Sequence, residues 1–241
     1  MSARTHTGLL GRTIAVAGAG LMAFTASVAT APAAGADDLE RTSSEVIAQI
    51  EAQPWPFYEH GDVHIDIRAA YRALGQLEYK SEVETSEFTD ELLEQVEEYQ
   101  ADHSQYLPET GDLDDETWLL LREQTYGNEY VPGDGPDNGR TWGVLGIQEI
   151  LQVKHGADID NDGWYGPETF YAVCDAQESY GMDPDGLVGR ITWRALITDQ
   201  DWDQDAARDV SAAEVPDQPP MGFVADPRAA AAQLDCSDDR P

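Results

Sequence analysis

Positive charge is what this sequence has least of. Against 47 Asp and Glu stand 14 Lys and Arg, only two of them lysines, Lys80 and Lys154, and the formal net charge is −33. A chain this acidic is repelled by phosphate backbones and by anionic membranes, so nucleic acid and membrane surfaces are not expected partners. Carboxylates at this density also repel one another, and salt relieves that by shortening the Debye length from about 10 Å at 0.1 M to about 3 Å at 1 M. The composition therefore predicts stability that rises with salt, as suits a saline habitat.

Long apolar runs are lacking except at the start. Arg4 and Arg12 form a basic lead, Thr13 to Val28 is small and apolar, and Ala34-Gly35-Ala36 offers small residues for cleavage. Residues 1–36 are thus predicted to be a signal peptide, because Gly18, Gly20, Thr25 and Ser27 interrupt the run that a retained anchor would need. The expectation is a secreted, extracellular protein with no membrane attachment after cleavage.

Catalytic constellations are lacking as well. Beyond residue 36 the histidines are His60, His64, His103 and His155, too few and too scattered for a zinc peptidase. The spacing of His60 and His64 suits a helical pair, but Gly61 between them and the want of a third ligand predict solvated side chains. Neither a serine elbow nor a phosphate loop is present. Paired carboxylates for glycoside hydrolysis are uninformative when acids stand everywhere. The chain is therefore expected not to be an enzyme. Cysteine is scarce too: Cys174 and Cys236. In an exported chain two readings stand, an intramolecular disulfide or a buried thiol plus a tail thiol. Cys174, on an apolar helix face beside Val173 and Phe170, lacks the flanks of an activated thiol.

What the sequence does hold is a repeat. In residues 37–61, an N-terminal extension, Ser43 or Ser44 caps a short helix that stops at Pro54-Trp55-Pro56; Trp55, Phe57 and Tyr58 are expected to pack inward, the alternative being an aromatic platform for sugars. Ile67, Ala70, Tyr71, Leu74 and Leu77 then form a helical stripe whose counterparts are Val144, Ile147, Gln148, Leu151 and Lys154, 77 positions later. Phe88-Thr89-Asp90-Glu91 matches Tyr165-Gly166-Pro167-Glu168 at the same offset, and Trp118 matches Trp193 at 75. Each unit reads helix, loop, helix, loop, helix, with Thr89 and Asp114 as helix caps in the first and Gly166 and Gly189 in those places in the second. The units span 62–127 and 138–199, joined by a Gly/Pro/Asn/Asp-rich linker at 128–137 and followed by a disordered acidic tail, 200–241. Trp118 and Trp193 are predicted core anchors.

Val144 to Leu151, then Asp162-Gly163-Trp164-Tyr165-Gly166-Pro167-Glu168-Thr169, then Asp185-Gly186-Leu187-Val188-Gly189-Arg190-Ile191-Thr192-Trp193 resemble the three-helix peptidoglycan-binding domain found on bacterial wall hydrolases. The first unit resembles a degenerate copy, with Tyr71 for the helix-1 Gln and both D-G-x-x-G turns lost. The resemblance implies an all-α fold of two tandem three-helix modules and a non-catalytic protein that binds peptidoglycan. Trp164 and Tyr165 would stack on sugars, Arg190 would clamp a stem-peptide carboxylate and Gln148 would hydrogen-bond an amide. Each has a structural competitor: Tyr165 aligns with Phe88 as a core position, and Gln148 would buttress the loop. The alternative is a secreted interaction or regulatory protein that reuses the fold for a protein partner, including a wall-associated one. One further pattern stands apart: Asp158, Asp160, Asp162 and Gly163 occupy positions 1, 3, 5 and 6 of a calcium loop, the only cofactor suggested, but position 12, where a bidentate Glu belongs, is Thr169.

Overall fold

A computed structural model describes residues 42–79, 85–199 and 234–237. The expected signal peptide and most of the expected acidic tail lie outside these residues. The described residues carry seven α-helices: α1 (Ser44–Glu51), α2 (Ile65–Gln76), α3 (Asp90–Asp102), α4 (Asp115–Thr125), α5 (Thr141–His155), α6 (Pro167–Ser179) and α7 (Arg190–Thr198). Three isolated bridges between extended segments replace any sheet among them. The fold is all-α, and no helix among the described residues is long and apolar enough to cross a membrane.

Helix boundaries follow local chemistry. Ser43, Thr89 and Asp114 accept from the backbone N–H groups of Val46, Leu92 and Thr117, each satisfying a donor that a helix start leaves orphaned. Gly166 and Gly189 stand at the starts of α6 and α7, with Pro167 opening α6. α3 and α6 begin 77 positions apart, α4 and α7 begin 75 apart, so α2–α4 and α5–α7 repeat one order of elements at the offsets of the sequence pattern.

The two halves share one core. α2 and α5 pack antiparallel along their lengths. Gly75, near the end of α2, lies under the Trp142 ring at the start of α5, and Gln76 accepts from the Gly143 N–H at 3.1 Å. At the other end the wholly buried Lys154 Nζ reaches Asp66 Oδ1 at 2.7 Å. Between them Arg72 grips Glu149 through two bonds of 2.6 and 3.0 Å, and Arg68 adds a third at 2.9 Å. Trp118 and Trp193 are core anchors: Trp118 stacks with Trp55, and Trp193 with Tyr126 at a centroid distance of 3.8 Å.

The linker stretch 128–137 packs against the second unit: Tyr130 exchanges backbone bonds with Val188, Gly133 donates to the Tyr165 carbonyl, and Arg140, stacked on Tyr130, pairs with Asp134 at 2.7 Å. Two expectations need correction, those for His64 and Phe57. His64 is not solvated but buried as the N-cap of α2, where Nδ1 accepts from the Asp66 N–H; only His60 of that pair is exposed, beside Asp90. Trp55 packs inward as expected. It is 9% exposed, stacked on Trp118 and covered by the Arg194 guanidinium 4.2 Å from its ring centroid, while Phe57, expected inside, is 56% exposed.

Candidate functional site

Three buried glutamines organise the loops. From α5, Gln148 donates through Nε2 to Asp162 Oδ1 (2.9 Å), the Trp164 carbonyl (3.1 Å) and Thr169 Oγ1 (3.1 Å), and its Oε1 accepts from the Gly163 N–H at 2.9 Å. From α6, Gln177 donates to Asp185 Oδ1 (2.7 Å), the Leu187 carbonyl (2.9 Å) and Thr192 Oγ1 (3.1 Å) and accepts from Gly186 at 2.8 Å. From α3, Gln100 does the same to Thr110, Asp112, Thr117 and Gly111. In each case one side-chain amide buckles an Asp-Gly-type turn to the first turn of the helix that follows.

These turns need glycine. Gly163 and Gly186 lie at φ +70° and +69°, and a Cβ there would meet Thr141 Cγ2 at 2.5 Å or the Phe170 ring at 2.1 Å. The last turn of the first half keeps this geometry although it lost the motif: Gly111 has φ +78° and Thr110 stands where the others have Asp. The first turn of that half is held differently, by the Tyr71 hydroxyl 2.5 Å from Thr89 Oγ1. Gln100 and Gln177 were missed as site-forming residues in the sequence, although their 77-residue spacing is the repeat offset and signals the shared role.

Residues 143–196 match the family model described as a putative peptidoglycan binding domain. That stretch takes in nearly all of α5, α6 and α7 with both Gln-buckled turns. Over 37 residues the chain is also 49% identical to the "Uncharacterized protein in bpoA1 3'region" of Kitasatospora aureofaciens. This covers 15% of the chain and 31% of the relative, so the chain spans about a third of the length of the curated protein it matches.

Within the matched domain the expected site residues separate. Tyr165 is fully buried, its hydroxyl donating to the Gly186 carbonyl at 2.8 Å and so joining the two turns. Gln148 is 1% exposed with its amide spent on the loop. Both serve the fold, and neither presents a group to solvent. Arg190 is exposed at the start of α7, but its Nε holds Glu123 Oε2 of α4 at 2.7 Å, so an incoming carboxylate would compete with a resident one. Trp164 is half-buried: its ring lies against Gly135, where a Cβ would come within 3.2 Å, and its backbone N–H donates to Asp162 Oδ1. Of the two aromatic residues among the four, it is the one that is partly exposed.

The calcium pattern does not assemble. Among the described residues no group of three or more His, Cys, Asp or Glu is placed to hold a metal ion. Asp158 and Asp160 are exposed on the approach to the turn, and Asp162 Oδ1 is engaged by Gln148 and Trp164. These residues do not fit a calcium cage in this conformation. Cys174, buried in α6, is joined to Cys236, with a Cα–Cα separation of 5.6 Å.

Buried electrostatics lie behind the site. Burial alone would raise the Asp66 carboxyl, but Lys154 and His64 outweigh it and hold the group below its ordinary value. Lys154 also donates to the carbonyls of Leu196, Ile197 and Asp199, tying off the end of α7. The His155 imidazole is pushed below its ordinary value by burial and hydrogen-bonds the Tyr180 hydroxyl at 2.8 Å.

Proposed function

We propose that this chain is a secreted, non-catalytic peptidoglycan-binding protein whose second three-helix unit makes the wall contact. The observation that supports this reading is the family match over 143–196, on a unit whose turn leaves Trp164 partly exposed. The first unit, with its first turn rebuilt around Tyr71, serves as a degenerate copy that buttresses the second through α2 and α5. Trp164 stacks on a sugar face, and Arg190 exchanges Glu123 for a stem-peptide carboxylate.

Co-sedimentation with purified sacculi tests this. Binding that falls about tenfold on Trp164→Ala and persists in high salt supports wall recognition. Binding that follows ionic strength and ignores Trp164 supports the second reading, a protein partner met by the acidic surface, which the charge of −33 favours. Clearing of wall-loaded gels by the purified chain would overturn the non-catalytic assignment.

A further inference from the structure

Four Asn or Asp residues in the sequence are followed by Gly: Asp134, Asn138, Asp162 and Asp185. At such a step the glycine nitrogen can close on the side-chain carbonyl carbon of the residue before it, since no Cβ crowds the approach. Three of the four nitrogens are clamped. Gly163 donates to Gln148 Oε1 at 2.9 Å, Gly186 to Gln177 Oε1 at 2.8 Å and Gly135 to Asn138 Oδ1 at 3.0 Å, and all three glycines are buried. Gly139 differs. It and Asn138 are exposed, and a Cβ on Gly139 would meet nothing within 4 Å. Among the described residues its N–H reaches only the Pro136 carbonyl, at 3.4 Å, beyond the usual span of such a bond.

The neighbouring side chain is placed for attack. Asn138 Oδ1 accepts from the Gly135 N–H, a donor that supports this oxygen as negative charge develops on it. The deprotonated Gly139 nitrogen adds to Asn138 Cγ, forming a C–N bond. Collapse breaks the Cγ–Nδ2 bond, and Nδ2 leaves as ammonia with protons from water. Water then opens the cyclic imide at either carbonyl, giving aspartate or isoaspartate. The net change is one water consumed and one ammonia released.

The product disturbs what stands behind Trp164. Asn138 Nδ2 donates to Asp134 Oδ1 at 2.6 Å, and Asp134, 4% exposed, accepts at Oδ2 from Arg140 (2.7 Å) and from the Val131 N–H (2.9 Å). Conversion replaces that donor with a second carboxylate, and like charges sharing one site repel. The effect reaches the turn directly. The Tyr165 N–H donates to the Asp134 carbonyl at 2.8 Å, the Gly133 N–H donates to the Tyr165 carbonyl at 2.8 Å, and the Trp164 ring lies on Gly135.

We propose that Asn138 is a self-modification site, converted through Gly139 to aspartate or isoaspartate, and that the conversion loosens the Trp164 turn and weakens wall binding as the molecule ages. The last step rests on the wall-binding reading, whereas the chemistry at Asn138 is independent of it.

Ageing the full chain in mildly acid and mildly alkaline buffer tests this, with the peptide Asp-Asn-Gly-Arg of residues 137–140 as the unfolded reference. Peptide mapping should find Asn138 converted in the folded chain, faster in the alkaline buffer, where the Gly139 nitrogen gives up its proton more readily. Asn138 intact once the peptide has fully converted would overturn the proposal, as would isoaspartate appearing at Asp162 or Asp185 as early as at Asn138. Asn138→Asp reproduces the new charge, and Gln105→Glu adds the same charge at another exposed residue. The Gly133 and Tyr165 amides should exchange hydrogen about tenfold faster in N138D than in Q105E, and sedimentation with sacculi should fall by a similar factor. Equal exchange in the two variants would overturn the proposal. Asn138→Gln, whose amide carbon lies beyond reach of a five-membered ring, should keep its sacculus binding on ageing while the unaltered chain loses it; equal losses would count against the proposal. Faster exchange in a chain that never sediments, fresh or aged, would remove the wall reading and leave the Asn138 chemistry standing. Trp164-dependent sedimentation that conversion leaves unchanged would do the reverse.

Discussion

Arg72 and Glu149 stand 77 positions apart, the interval of the sequence repeat, and they meet in a buried two-bond ion pair at the centre of the α2–α5 contact. Equivalent positions facing each other across antiparallel helices is the arrangement of an isologous interface, here within one chain. The pair is 0% and 1% exposed in its side chains, and Arg68 joins it. Breaking a buried pair by removing one partner leaves an uncompensated charge and costs about 3–5 kcal/mol. Glu149→Gln and Lys154→Met should each destabilise the fold by about that amount in urea unfolding. A variant near wild-type stability would show that water reaches this contact.

Acid should unfold the protein in two steps, and the signs are fixed by the direction of two shifts. The folded Asp66 pKa is depressed, so its contribution is present above the unfolded value near 3.8 and is lost as pH falls through the lower folded value. The folded His155 pKa is also depressed, so the unfolded chain binds that proton first and stability falls as pH drops below about 6.5. Melting temperature followed from pH 8 to pH 3 should show a shallow loss beginning near neutrality and a steep one in strong acid. His155→Gln should remove the first and keep the second.

The glutamine buckles predict unequal costs for one kind of substitution. Gln148→Leu or Gln177→Leu strips a buried glycine N–H of its acceptor and a threonine hydroxyl of its donor, and each unsatisfied group costs about 1–3 kcal/mol. Gln53→Leu, exposed at the end of α1, should change stability by less than about 0.5 kcal/mol. Denaturant midpoints for the three variants provide the comparison, and equal effects would mean that the buckles contribute nothing of their own.

Salt should stabilise the chain. With a net charge of −33, raising NaCl from 0.1 M to 2 M screens repulsion among exposed carboxylates while leaving the buried pairs almost untouched. The melting temperature should rise across that range, and a flat or falling curve would remove the case for a saline habitat.

Much of the fold was legible because its signals are local. Caps at Ser43, Thr89 and Asp114, the apolar stripes, and the paired tryptophans can each be read within a few residues, and the repeat offset ties them together. What was not legible depends on partners distant in the chain. Asp66, Arg68 and Arg72 look like a solvated face of α2 until α5 brings Glu149 and Lys154 against them. His64 reads as a surface residue unless its neighbour Asp66 is known to be buried. The role of α1 was hidden for the same reason, since its carbonyls are held by Arg194, more than 140 positions away. For the candidate site, motif spacing located the turn correctly. The repeat also pointed to the inward aromatic, since Tyr165 aligns with the core residue Phe88, but not to the Tyr165 hydroxyl reaching the Gly186 carbonyl, a partner 21 positions on.

The bond between Cys174 and Cys236, 62 positions apart in the chain, closes the stretch between them into a covalent ring, and Lys154 grips that ring again at Asp199. A single protease cut between Asp199 and Leu234 would therefore release no fragment. The nicked protein would run as one species until reductant was added, so a cut there would leave the molecule in one piece.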